Sequence, residues 1–338
     1  MKTVPRLVAL TAVSALVVTL AACSSNQSAE TGEKLVVYSG RSESLVKSLF
    51  DQFTAQTGIQ VEARFGDSAE LAAQIAEEGS ATPAQVFFSQ DAGALGALNK
   101  SDLLAPLPDS VSSLVPANYR TPNWVGTSAR VRTLVYDPAK FPKPPKTVFD
   151  LTAPKYSGQV ALAPKNASFQ SFVTAMRLTE GDTKTREWLK GLVANQAQVF
   201  DNNLKIVQAV DAGTAGIGLV NHYYWFIHAK EKGGASNIKV AQEFMEPGDP
   251  GTLVNLAGAG LTRANGANAT AIRFVEFLLS PPSQQYFAER TFEYPVVSGI
   301  AGPEGAPALS SLKSPPVKLD DLSDLPATQE MLRQVGLI

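Results

Sequence analysis

Hydrophobic positions along this chain recur in two alternating periods. KLVVYSG (34–40) is a short run of β-branched and aromatic residues closed by Gly40, which predicts a strand. In SESLVKSLFDQFTAQTG, Leu45, Leu49 and Phe53 recur at spacing four with Val46 and Phe50 beside them. That spacing predicts an amphipathic helix, stopped by Gly58. IQVEARFG (59–66) alternates as a second strand. SAELAAQIAEEGS predicts a second helix, carrying Leu71 and Ile75 and stopped by Gly79, and AQVFFSQ (84–90) a third strand. The first hundred residues therefore read β-α-β-α-β, the pattern of a parallel sheet with helices on its faces.

The alternation continues. SARVRTLVYDP (128–138) is strand-like up to Pro138, and FPKPPKT (141–147) is a proline-rich surface turn or linker. GQVALAP (158–164) predicts a buried strand. SFQSFVTAMRL (168–178) sets Phe169, Phe172, Val173 and Met176 on one helical face. KTREWLKGLVAN predicts the next helix, followed by AQVF. NLKIVQAVDAG predicts a short helix, and TAGIGLVNHYYW a strand running into an aromatic cluster. NLAGAGLTR (255–263) is a small-residue strand and NATAIRFVEFLLS (268–280) an amphipathic helix. From about Pro307 the chain is Pro- and Ser-rich and then helical. There is no internal repeat.

The N-terminus bears on the compartment. MKTVPRLVALTAVSALVVTLAACSSN has a basic start (Lys2, Arg6), an apolar run from Leu7 to Ala22, and LAAC ending at Cys23, the one cysteine of the chain. Those are the parts of an export signal. Small residues immediately before the cysteine resemble the lipobox of bacterial lipoproteins, in which Cys23 would take a lipid and become the mature N-terminus. Residues 1–22 then read as a signal peptide and 23–33 as a flexible tether to the outer face of the cell membrane. The alternative is an ordinary cleaved signal with an incidental cysteine. The apolar run is shorter than the ~20 residues a membrane span requires. With Cys23 lipidated, disulfides, thiolate metal sites and cysteine nucleophiles are excluded.

The remaining body, about 300 residues, predicts two domains. Setting Lys2 and Arg6 aside from the 29 basic residues leaves 27 against 31 acidic. No basic run or stripe is present, which argues against nucleic acid.

Enzyme motifs are missing from the sequence: there is no G-x-S-x-G, H-E-x-x-H, G-x-x-x-x-G-K-[ST] or G-x-G-x-x-G. The two histidines, His222 and His228, lie six residues apart, the wrong spacing for a zinc pair on one helical face. What remains are loops after strands, where ligands bind in open α/β sheets. YSGRSE offers Gly40 for a turn, Ser42 as a helix cap and Arg41 as an anion partner. SQD (89–91) follows the third strand. PKNASF (164–169) enters a helix through small polar residues, a second anion cradle. NHYYW (221–225) follows TAGIGLV. Each has a plainer reading: a cap, a solvated arginine, packed aromatics. It is their shared placement at one end of parallel strands that points to a site. A phenol titrates near ~10, so it binds a metal only where the metal displaces its proton. Ferric iron suits such oxygen donors. Two tyrosinates cancel two of its three charges, and a bound anion can cancel the rest.

LVVYSGRSESLVKSLFDQFTAQTGIQVE, ELAAQIAEEGSATPAQVFFSQDAGALGAL, ARVRTLVYDP, NHYYW, GDPGTLVNLAGAGL and FLLSPPSQQYFAERTFEYPVV together resemble the ferric-iron-binding lipoproteins and periplasmic proteins that feed ABC importers. The resemblance covers essentially the whole mature chain. It implies an α/β, two-lobed clamshell of the type II periplasmic-binding-protein fold. One discontinuous lobe would hold 34–130 and 254–300, the other 131–253 and 301–338, joined by two crossing strands. It also implies a monomer that hands its ligand to the permease of an ABC importer. Tyr223 and Tyr224 match the family's iron-coordinating tyrosines. Asn166, Ala167, Ser168, Asn203 and Asn221 match positions that cradle the accompanying anion.

The chain also departs from the pattern. Where many members supply a His and a Glu from the first lobe, it has Ser42 and Gln90. Where others add a third Tyr, it has Asn166. Arg41 matches a branch in which this arginine holds an anion. The expected ligand is therefore Fe(III) with a synergistic anion such as carbonate, phosphate or citrate, or a ferric chelate. Two other readings stay open: a binding protein for a metal-free small anion on the same fold, and a secreted hydrolase on an α/β scaffold. The missing nucleophile motif counts against the hydrolase.

Overall fold

A computed structural model describes residues 33–338; the expectations for the signal peptide and for Cys23 lie outside the described residues. The first block folds as its periodicity predicts. β1 (Lys34–Ser39), α1 (Glu43–Thr57), β2 (Gln60–Phe65), α2 (Ser68–Glu78) and β3 (Val86–Ser89) follow in order. β1 pairs in parallel with both β2 and β3. α1 buries Val46, Leu49, Phe50 and Phe53, the predicted stripe. α3 (Ala92–Lys100) is a helix that the period did not predict. Its AGALGALNK sequence is small-residue rich, so no stripe of large apolar side chains announces it.

After the short α4 (Asp109–Ser112), β4 runs from Trp124 to Tyr136, starting four residues before the predicted strand. Every residue of β4 but the last is buried. β5 (Val160–Leu162), α5 (Ala167–Glu180), α6 (Asp182–Ala194), β6 (Gln198–Val199) and α7 (Asn203–Asp211) lead to β7 (Ile217–Asn221) and α8 (Tyr223–Glu231). Here the expectation needs correcting. The strand does not extend through the aromatic cluster but stops at Asn221, and Tyr223 opens a helix. His222 already has helical angles (φ −53°, ψ −40°), and Tyr223, Phe226 and Ala229 are buried at spacing three. β8 (Ala241–Glu243), β9 (Val254–Leu261), α9 (Ala269–Leu278), α10 (Pro281–Tyr286), a π-helical turn (Phe287–Thr291), β10 (Tyr294–Pro295) and α11 (Leu325–Gln334) complete the fold.

The strand order is β2-β1-β3-β9-β4-β7-β5-β6, with β8 and β10 also paired to β4. β4 belongs to both ends of this array. From Trp124 to Val131 it pairs antiparallel with β9, and from Arg132 to Tyr136 with β7. It thus leaves one half of the structure and enters the other. β5 is parallel to both β6 and β7, so the second half repeats the parallel arrangement of the first.

The C-terminal tail touches both halves. The short 3₁₀ turn Leu319–Ser323 lies against α3, and Asp320 accepts from Trp124 Nε1 (2.9 Å) and Asn99 Nδ2 (3.0 Å). α11 lies against α5, with Thr174 and Thr328 hydroxyls 2.7 Å apart and Gln329 donating to Gln170 (3.0 Å). The tail can lie this close because α3 carries glycine at its contact. A Cβ on Gly96 would sit 2.8 Å from the Asp320 carbonyl oxygen. Gly96→Ala is therefore expected to lower stability by about 1–3 kcal/mol, the usual cost of overpacking against backbone. Thermal unfolding checks this, and an unchanged midpoint would show that the tail contact is looser than described.

Candidate functional site

A cavity of about 370 Å³ opens between the two halves. Its walls come from successive strand ends. Gly40 and Ser42 follow β1; Gly66, Asp67 and Ser68 follow β2; Gln90 follows β3. From the other half come Lys165, Asn166, Ala167 and Ser168 after β5, Asp201 after β6, and Tyr223 and Tyr224 after β7. This is where an α/β sheet presents loops and helix N-termini to a ligand. The loop after β2 was not singled out from sequence, although the same strand-end rule marks it. It is needed structurally: a Cβ on Gly40 would collide with the Ser68 hydroxyl, which in turn accepts from the Gln90 amide (2.9 Å). Three loops of the first half are locked together this way.

The helices that start here differ in how their first amides are used. Asp67 caps α2 by accepting from Ala69 N (2.8 Å), and Asn166 caps α5 by accepting from Ser168 N (3.1 Å) and from the Ser168 hydroxyl. Ser42, at the start of α1, makes no side-chain capping bond. The leading N–H groups of α1 therefore have no side-chain cap and face the cavity side with the positive end of the helix dipole.

Tyr223 and Tyr224 stack with ring centroids 4.2 Å apart and planes inclined by 31°. Tyr223 is fully buried; Tyr224 is partly exposed. Desolvation pushes the Tyr224 phenol well above its ordinary value, and the neighbouring Tyr223 adds to the shift. Across the cavity, Gln90 Nε2 donates to Tyr223 Oη at 3.3 Å. The rest of the aromatic cluster packs. Trp225 Nε1 donates to the Val240 carbonyl (2.8 Å), and Phe226 stacks on Phe292. His222 is buried, stacks on Tyr294 at 4.7 Å, and accepts from Val131 N through Nδ1 (3.2 Å). Burial pushes its pKa down to about 4. Among the described residues no group of three or more His, Cys, Asp or Glu side chains is placed to hold a metal. Beside the two phenols, Asp67 and Asp201 also line the cavity.

Arg41 is placed differently from the expected anion contact. It is buried, and its terminal nitrogens are taken by protein: Nη1 donates to Glu293 Oε1 (2.8 Å) and Gln90 Oε1 (2.9 Å), and Nη2 to Glu293 Oε2. Asn203 and Asn221 are buried at the start of α7 and the end of β7 and do not line the cavity. Two arginines that the sequence reading passed over lie nearby. Arg130 and Arg132 stand two apart in β4, on one face of the strand. Arg132 donates to the Ser168 hydroxyl (3.0 Å) and the Leu219 carbonyl (3.3 Å), and burial pulls its pKa down to about 9. Arg130 is fully buried with no protein hydrogen-bond partner among the described residues. Burial lowers its pKa too, against the attraction of Tyr223 and Glu293. Their signal in the sequence was the period of two: a pair of cations on one side of an otherwise apolar strand.

Residues 81–322 match the family described as bacterial extracellular solute-binding protein. The chain is 32% identical over 318 residues to the Fe(3+)-binding periplasmic protein of Serratia marcescens, covering 92% of this chain and 93% of that one. Among solved structures it is similar to iron-bound HitA from Pseudomonas aeruginosa, with a TM-score of 0.85 at 31% identity over 90% of this chain and all of that one. It is also similar to a Trichodesmium protein (IdiA, FutA) in complex with iron and citrate, with a TM-score of 0.74 at 30% identity, again over 90% of this chain and all of that one.

The buried ring of His222 makes a pH prediction for the ligand-free protein. Its pKa falls from the ordinary 6.5 to about 4 on folding, so the folded state favours the neutral ring. The associated stability is full above pH 6.5 and lost as pH falls toward 4, a total of about 3 kcal/mol at 1.36 kcal/mol per unit. His222→Gln should lack this loss. Urea unfolding of both proteins at pH 7 and pH 4 measures the difference, and equal pH dependence would refute it.

Proposed function

This chain belongs to the bacterial extracellular solute-binding proteins, a binding family and not an enzyme family, and from that premise we propose that it captures ferric iron together with an oxygen-donor anion, or as a ferric chelate. The observation that carries the reading is the stacked Tyr223–Tyr224 pair at the β7–α8 junction, open to a cavity walled by both halves. Phenol oxygens, which ordinarily keep their protons at neutral pH, are poor ligands for ordinary divalent cations. A trivalent, hard cation displaces their protons. The similar Serratia, Pseudomonas and Trichodesmium proteins, named or solved with iron, support the same assignment.

Two phenolates leave one positive charge and several coordination positions of ferric iron unfilled. The cavity is far larger than a bare ion, at about 370 Å³ against the ~30 Å³ share of one water. Carbonate, phosphate or citrate would fill it. Such an anion would lie against the first amides of α5 at Ala167 and Ser168, near Lys165 and the uncapped start of α1. Asn166 serves this cradle as the α5 cap, and Gln90 and Ser42 line it. In the same reading residues 34–130 with 254–300 form one lobe, and 131–253 the other. The tail 301–338, assigned from sequence to the second lobe, touches both. Lipidation at Cys23 would tether a monomer at the outer face of the membrane, beside the permease of an ABC importer that receives the iron.

Changing Tyr223 and Tyr224 together to Phe keeps the rings and removes both oxygens. Wild type titrated with ferric citrate should develop a visible tyrosinate-to-iron charge-transfer band. The double variant should fold, stay colourless and lose ferric affinity by more than a hundredfold. A band of unchanged intensity in the variant would end the assignment. A wild type that never colours, but is stabilised by citrate alone, would instead favour the metal-free anion reading.

Iron binding should also weaken on acidification, because each phenolate and the anion must shed protons that return as pH falls. Competition against a chelator at pH 8 and pH 5.5, with and without added carbonate, tests both dependences. Equal affinity in all four conditions would mean that another protein group completes the coordination.

A further inference from the structure

We propose that Glu293 is a positioning residue of the site. It neutralises and fixes Arg41, and through Arg41 and Gln90 it sets where the Tyr223 oxygen stands. The inference rests on the reading above that Tyr223 is a ligand-holding residue.

The contacts form an unbroken chain. Glu293 receives both terminal nitrogens of Arg41; Arg41 Nη1 also donates to Gln90 Oε1 at 2.9 Å; Gln90 Nε2 donates to Tyr223 Oη at 3.3 Å. Because Gln90 accepts from Arg41 with its oxygen, its amide nitrogen has to face Tyr223. Arg41 thus fixes which end of the amide points at the phenol. Arg41 and Glu293 are both fully enclosed. Burial alone would raise the Glu293 carboxyl, but Arg41, with help from Arg130 and Thr291, holds it below its ordinary value. A buried carboxylate and guanidinium in this geometry form a neutral unit, and an anion in the cavity meets no free charge on Arg41.

The backbone around Glu293 is built to hold it there. Phe292, a non-glycine residue, sits in the left-handed region (φ 56°, ψ 29°) directly after the π-helical turn. That conformation costs on the order of 1–2 kcal/mol, and such strain persists where surrounding contacts over-determine it. Those contacts are present. Glu293 N donates to Phe287 O (3.0 Å), and the Thr291 hydroxyl donates to Glu293 Oε2 (3.0 Å). The next residue, Tyr294, stacks on His222, the neighbour of Tyr223. The segment 291–294 therefore reaches Tyr223 by two routes, one through Arg41 and Gln90 and one through His222.

A buried ion pair has a simpler use, as a fold-stabilising contact alone. The two roles separate in a variant that removes both charges. Glu293→Gln alone leaves Arg41 buried and unpaired, and destabilisation would cloud the result. Arg41→Met with Glu293→Met buries no unpaired charge, and paired replacements of this kind are often neutral or stabilising. This double variant should unfold within a few degrees of wild type and yet bind ferric citrate at least tenfold more weakly, with a shifted charge-transfer band. Glu293→Asp, which keeps the pair, should stay within threefold of wild type.

A readout without iron accompanies this. In the ligand-free wild type, the Gln90 side-chain amide protons, held at Tyr223, should give a resolved, slowly exchanging NMR pair. That pair should be lost in the double variant and kept in Glu293→Asp. Wild-type ferric affinity or an unchanged Gln90 signal in the double variant would overturn the proposal. If wild type itself shows no charge-transfer band, the iron reading fails, and the Gln90 signal still decides whether Glu293 positions the amide.

Discussion

One strand carries the mechanical constraint on this molecule. β4 is paired with β9 up to Val131 and with β7 from Arg132 onward, so the change of partner strand falls between two adjacent residues. His222 occupies that switch point. Its backbone N donates to Val131 O (2.9 Å), and its ring Nδ1 accepts from Val131 N (3.2 Å). Both polar groups of Val131 are thus held by the residue just before Tyr223. A neutral ring is needed here, because a protonated Nδ1 could no longer accept. Burial keeps it neutral.

The same strand supplies the positive charge around the tyrosines. Arg130 and Arg132 come from β4, and Arg41 from the loop after β1. Burying cations is costly unless they are compensated, and the three are compensated to different degrees. Arg41 is matched by Glu293. Arg132 is held by a hydroxyl and a carbonyl, both neutral acceptors, and its pKa falls to about 9. Each of the three guanidiniums is drawn toward its charged form by Tyr223. Desolvation raises the Tyr224 phenol, and the neighbouring Tyr223 adds to the shift. Arg130 and Arg41 pull the Tyr224 phenol the other way.

What was legible in the sequence follows from the range of the interaction. Periodicity is local, and it located the β-α-β-α-β block, α5, α6 and α9 to within a few residues. α3 escaped because its two large apolar side chains, Leu95 and Leu98, are too few to mark a period, and it meets the tail carbonyls through Gly93 and Gly96. At the aromatic cluster a helix starting at Trp225 and Phe226 is the sequence expectation; it starts two residues earlier, at Tyr223, because the strand already ends at Asn221. Strand-end loops could be placed by rule, which is why Ser42, Gln90, Asn166 to Ser168 and the tyrosines lie around one cavity. The partner of Arg41 could not be read at all. Glu293 stands 252 residues away in sequence, and no local pattern joins the two.

The contacts across the cavity bear on how a ligand would act. The bond from Gln90 to Tyr223 joins a loop of the first half to the second half, and it is a long, neutral amide–phenol contact at 3.3 Å. A bond of this kind contributes about 1 kcal/mol net, roughly a fivefold bias, too little to keep two bodies shut. A ligand that touched Tyr223 and Tyr224 on one side and the amides of α1 on the other would add to these contacts between the halves. The tail joins the same halves elsewhere. Its hydrogen bonds to Asn99 and Trp124 on one side and to Thr174 and Gln170 on the other involve no residue that lines the cavity. They link α3 and α5, whose N-termini both begin at cavity-lining loops. The tail therefore ties the two halves together at a place away from the cavity.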